Sequence, residues 1–139
     1  MSNIDFTQVI TAEAKAATGR AALLAELAAI RWARETGGIT LGDGTELPTD
    51  ERTVAKLTAA VTSLQDGMVS APVAWKFANG WQDLAQAQVE ACAAAVARHV
   101  QACFNAERAV CNQVAAMEDL GGFDVVAAFE AAFAAQEGA

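Results

Sequence analysis

A mainly α-helical fold with two short β-hairpins is what the sequence predicts, an α+β arrangement built as a helical hairpin or bundle. Three observations lead there. Residues 83–120 contain neither proline nor glycine, and alanine, the best helix former, is their commonest residue. Two turn clusters, Gly42-Asp43-Gly44 and Asn79-Gly80, sit inside short alternating apolar runs, the pattern of tight hairpins. Most other apolar residues recur at spacings of three and four, the helical period.

The first helix is expected from about Ile4 to Glu35, capped by Ser2 or Asp5. Its stripe begins at Phe6, Val9 and Ile10 and continues through Leu23, Leu24, Leu27 and Ile30. Gly19 costs about 1 kcal/mol relative to alanine inside a helix, so it either divides this segment or marks a kink. Gly37-Gly38 ends it. A hairpin over about 39–47 follows, in which Ile39 and Leu41 alternate with polar residues. Thr49 or Asp50 then caps a helix over about 51–67 with a stripe of Val54, Leu57, Val61, Leu64 and Met68. A second hairpin over about 73–82 carries Val73, Trp75 and Phe77, with its turn at Asn79-Gly80.

The long helix is expected over about 83–120, with Asp83 as cap and Gly121-Gly122 as stop. About 38 residues at roughly 1.5 Å each make a rod on the order of 55 Å. That exceeds what a compact chain of this size needs, so a second helical arm or another copy of the chain is expected beside it. Its stripe runs through Val89, Ala93, Val96, Val100, Cys103, Val110, Val114 and Met117, and Glu107 interrupts it. A short final helix follows Asp124, its cap, with Val126, Phe129 and Phe133 on one face. The predicted organisation is an N-terminal helical arm (1–30), a helical domain (31–120) and a short acidic C-terminal helix (121–139).

The totals bound the function. Hydrophobic residues make up 54% of the chain, ample for a core. The net charge of −8, from 17 acids against 9 bases, disfavours nucleic acid and anionic membrane as partners. No apolar run reaches the length of a membrane span, and the first residues lack the basic and apolar regions of a secretory signal. An odd count of three cysteines, all on the long helix, fits synthesis in a reducing cytoplasm.

The residues that suggest chemistry do not converge. Cys92, His99 and Cys103 share one helical face, yet Cys92 and Cys103 lie about 16 Å apart along the axis. They cannot bind one zinc at about 2.3 Å. His99 with Cys103 would need two further ligands, and nothing supplies an oxyanion hole for a Cys–His nucleophile. No catalytic residue, metal or cofactor is therefore expected. The candidates are partner-binding residues. Trp75, Phe77 and Trp81 cluster around Asn79-Gly80, either anchoring the hairpin on the helices or forming a recognition surface. Lys76 should point to the opposite face of its strand from Trp75 and Phe77. After Arg108 no Lys or Arg occurs, while Glu118, Asp119, Asp124, Glu130 and Glu137 follow. The apolar face of Val126, Phe129 and Phe133 there either folds back on the long helix or enters a partner's groove.

An ordered signature spans about residues 30–112. It begins with Arg31, Arg34 and Glu35, then Gly37-Gly38-Ile39, Gly44 and Thr49-Asp50. Val73-x-Trp75-Lys76, Asn79-Gly80-Trp81 and Leu84 follow, then Val96, His99-Val100-Gln101 and Phe104-x-x-Glu107. In order and spacing it resembles a small uncharacterised domain that recurs in tail and tail-fibre proteins of tailed bacteriophages. The resemblance implies a structural or assembly role in a phage or phage-like particle. It also implies that Glu107 has a buried or interfacial partner, whereas a helix cap explains Thr49-Asp50. The stretch after Leu120 lies outside the signature.

The expected protein is thus a non-enzymatic structural component of a tailed phage, in fibre, baseplate or adaptor. It acts by protein–protein contacts with other tail or virion proteins and with copies of itself, and resides in the virion tail after synthesis in the host cytoplasm. The alternative is a tail-fibre or tail-assembly chaperone not retained in the virion.

Overall fold

The computed structural model describes residues 6–137, with side chains from residue 12 onward. Its element order is α1 (Phe6–Glu35), β1 (Ile39–Thr40), β2 (Glu46–Leu47), α2 (Glu51–Gln65), β3 (Val73–Phe77), β4 (Gly80–Leu84), α3 (Gln86–Ala116) and α4 (Val125–Glu137). The fold class is the predicted one: among the described residues, helices dominate and each strand pair is an antiparallel hairpin. The predicted caps Ser2 and Asp5 lie outside the described residues, as do the side chains of Phe6, Val9 and Ile10. Two compact units divide the chain. One comprises the stretch ending at Arg31 with the stretch beginning at Asn105; the other is Trp32–Phe104.

α1 passes through Gly19 as one helix of 30 residues. It ends where predicted, and the stop has a steric cause. A Cβ on Gly37 would lie 2.9 Å from the Ala33 carbonyl of the last turn, and Gly38 takes φ +88° as the chain turns away toward β1.

α2 starts at Asp50, whose carboxylate accepts the Thr53 amide. Thr49 does something else. It is only 1% exposed; its hydroxyl donates to the Glu35 carbonyl and accepts the Gly38 amide at 2.9 Å. Thr49 is therefore a latch between the end of α1 and the β1–β2 hairpin, and the capping role belongs to Asp50 alone. α2 closes earlier than predicted, at Gln65. The Met68 amide reaches the Ser63 carbonyl and the Gly67 amide the Leu64 carbonyl, with Gly67 at φ +72°. Met68 thus leaves the predicted stripe and lies exposed.

Both ends of the long helix are corrected. Asp83 and Leu84 belong to β4, so Asp83 caps nothing; it pairs with Ala74 across the hairpin. The first turn is closed instead by Gln88, whose side-chain carbonyl accepts the Ala85 amide at 2.8 Å, half of a capping box. At the other end α3 stops at Ala116, before Gly121-Gly122. Arg20 of α1 donates to the carbonyls of Val114 and, at 3.1 Å, Met117. A continuing helix would spend the Val114 carbonyl on the amide four residues on. The guanidinium shares that carbonyl with the Met117 amide, which reaches it at 3.3 Å, and also favours the negative end of the helix dipole. What remains is 31 residues, about 46 Å.

In the unit Trp32–Phe104, Leu47, Leu57, Leu64, Phe77, Leu84, Val89, Cys92 and Val96 form the core, with Ile39, Leu41, Val54 and Trp75 packed against it. Each large apolar side chain buried there contributes about 1.5–3 kcal/mol. In the other unit the buried residues are Leu27, Ala106, Val110, Val114, Val125, Phe129 and Phe133. The Phe129 and Phe133 rings stack at 6.1 Å between centroids. Asp124 caps α4 by accepting the Ala127 amide, which makes Val125 the first helical residue. The inward stripe is consequently Val125, Phe129 and Phe133, spaced by four, and Val126 turns outward.

Candidate interaction surface

The β3–β4 hairpin pairs Val73 with Leu84, Trp75 with Gln82, Lys76 with Trp81 and Phe77 with Gly80. The turn is therefore centred on Ala78-Asn79, one residue earlier than Asn79-Gly80. Among the described residues none other than glycine has positive φ, whereas Gly80 has φ +128°. The turn thus uses Gly80 as the residue that re-enters the strand, not as half of a two-residue left-handed turn.

Alternation along the strands divides the three aromatics. Phe77 is 5% exposed in the core and Trp75 packs against that core, while Trp81 is 70% exposed. Trp81 lies on the outer face with its cross-strand partner Lys76, whose Nζ stands 5.8 Å from the indole centroid. Cross-strand pairing carries this information: shifting the turn by one residue leaves Trp81 on the face of Lys76, so hairpin parity alone separates it from Trp75 and Phe77. Of the remaining candidates, Phe129 and Phe133 are buried, and Val126 is 49% exposed. Trp81 and Val126 are the ones open to solvent.

The polar signature residues stabilise helix packing. Arg31 Nε donates to Glu107 Oε1 at 3.2 Å, with both side chains 18% exposed. Glu107 thus sits beside the buried stripe, which passes through Ala106, and has a cation there. His99 Nε2 lies 2.9 Å from the Arg34 carbonyl. Facing a carbonyl oxygen, Nε2 carries the proton and donates. Cys103 Sγ is 3.9 Å from the same nitrogen, which in this form cannot take the thiol's proton. Burial pushes the Cys92 thiol up, helped by the Asp43 charge; burial and Glu107 do the same to Cys111. Both thiols are therefore protonated at neutral pH. Among the described residues no three His, Cys, Asp or Glu side chains gather as metal ligands.

One further feature was not foreseen from the sequence. In the unit Trp32–Phe104 a cleft of about 550 Å³ opens beside the β1–β2 hairpin. Leu41, Phe77, Leu84 and Cys92 line it, with Asp43 and Arg98 as its charged members.

The fold and surface define a small helical domain carrying an outward-facing aromatic hairpin. The chain belongs to the family described as Domain of unknown function (DUF4376), whose model matches residues 18–135. This domain occurs in some phage-associated proteins. The match is wider than the signature at 30–112 and takes in most of α4. No curated protein and no solved structure matches the chain. No helix among the described residues is long and apolar enough to cross a membrane.

Proposed function

We propose that this protein is a non-enzymatic structural component of a tailed bacteriophage or phage-like particle, placed in the tail and acting through protein–protein contacts. Family membership carries the reading, since the domain occurs in phage-associated proteins. The surface supports it. A tryptophan that a hairpin holds in solvent, with a lysine over its ring, is the type of side chain that dominates protein–protein hot spots. The partners are other virion proteins or further copies of this chain.

Mass spectrometry of purified particles tests the placement. The protein is expected among the virion proteins at a stoichiometry of several copies. Its presence in the infected lysate with absence from finished particles would overturn the structural role and favour the tail-assembly chaperone. Light scattering after size exclusion tests self-association and is expected to give more than the monomer mass of 14.4 kDa.

A further inference from the structure

We propose that the cleft beside the β1–β2 hairpin binds the free carboxyl end of a polypeptide whose last residue is large and apolar. Three observations carry this. The cleft's volume of about 550 Å³ falls within the roughly 300–1,000 Å³ of ligand sites. Its lining includes Leu41, Phe77 and Leu84, so an apolar side chain seated there extends the core.

The second observation is Arg98. It lines this cleft and makes no ion pair or hydrogen bond to any described residue. A guanidinium beside apolar surface favours a planar carboxylate, which it can bind through two parallel hydrogen bonds.

The third is the opposite charge. Asp43 is also in the lining, with its Oδ1 accepting the Thr45 amide at 2.9 Å. A peptide end complements this pair, with its carboxylate toward Arg98 and its preceding backbone amides toward Asp43. A phosphate-bearing ligand does not, because Asp43 repels it and a single arginine must neutralise it. An internal Asp or Glu fits less well. Its carboxylate occupies its own side chain, so the apolar group must come from a different residue.

That the bound end belongs to a neighbouring particle protein rests on the function proposed above. The cleft's own preference does not, and the following titration reads only the preference. The ¹⁵N-labelled full chain is titrated with three acetylated tripeptides: Ala-Ala-Leu with a free carboxylate, the same peptide amidated, and Ala-Ala-Glu amidated. The free-carboxylate peptide is expected to give saturable shifts concentrated at Leu41, Gln88 and Arg98. Amidation and Arg98→Gln should each weaken binding about tenfold, the usual worth of a hydrogen bond to a charged group. Arg98→Lys should recover part of the loss, and Arg98 is exposed, so these variants fold. Equal binding of either amidated peptide, shifts concentrated elsewhere, or no saturable shift with the free carboxylate would overturn the proposal.

Discussion

Replacing Thr49 with valine tests the strongest single claim about this fold. The two side chains have nearly the same shape, so the substitution removes a hydroxyl and adds a methyl at almost constant volume. Two groups then lose their partner: the Gly38 amide, which Thr49 accepts at 2.9 Å, and the Glu35 carbonyl, to which Thr49 donates. Leaving a buried polar group unsatisfied costs about 1–3 kcal/mol. Thr49 itself is 1% exposed, but Gly38 and Glu35 are only half-buried, so water can reach them in part. The lower half of the range applies to each, and about 2–4 kcal/mol is expected for the two together. At roughly 2.1 cal/mol/K of unfolding entropy per residue, the 139-residue chain loses about 3–4 °C of Tm per kcal/mol. Thr49→Val should therefore melt about 7–14 °C lower in a calorimetric scan. Thr49→Ser keeps the hydroxyl and deletes one methyl, so it should cost only about 0.8 kcal/mol. Equal losses for the two variants, or a valine variant as stable as the parent, would refute the latch.

Other measurements follow from the same geometry. Phe77→Ala should cost about 3–5 kcal/mol in urea unfolding. Trp81→Ala should cost under about 1 kcal/mol, while particle assembly or self-association is lost if Trp81 is the contact residue. Asp50 is held below its ordinary 3.8, first by the Thr53 hydroxyl. A depressed carboxyl contributes stability that is present above 3.8 and lost as pH falls through the folded value. Asp50→Asn should accordingly flatten the acid limb of a stability–pH profile below about pH 4 while still capping the helix. Glu107→Gln should do two things: weaken the Arg31 contact by about 1–2 kcal/mol and speed alkylation of Cys111 at pH 8. The second follows because a negative charge that raises the thiol's pKa is gone; an unchanged rate would remove Glu107 from that role.

Much of the architecture was legible because local signals agreed with the packing. Proline- and glycine-free runs became helices, alternating runs with glycine turns became hairpins, and Asp50 and Asp124 capped the helices they precede. The failures were places where a distant residue decided. Nothing in residues 117–120 forbids a helix, and α3 ends at Ala116, where the Met117 amide and a guanidinium 94 positions upstream share the Val114 carbonyl. Asp83 has capping chemistry, but pairing with Ala74 keeps it in a strand, and Gln88 closes the turn. Thr49 beside Asp50 looked like a redundant cap because the Glu35 carbonyl and Gly38 amide become its partners only once the chain folds. At the surface, the aromatic cluster was visible as composition and divisible by hairpin parity. The cleft with Arg98 was not, since residues from the hairpins and the start of α3 line it together.

The nesting of the two units has a consequence for biosynthesis. The stretch Trp32–Phe104 is continuous, whereas the other unit is assembled from a piece before it and a piece after it. A chain emerging from the ribosome amino end first therefore exposes the whole inner unit before Val110, Phe129 and Phe133 leave the tunnel. Leu27 and Arg20 must wait through that interval for the residues that bury the one and accept hydrogen bonds from the other. Translation thus sets an order on the molecule: the unit bearing the aromatic hairpin and the cleft can exist first, and the one that needs both ends of the chain closes last.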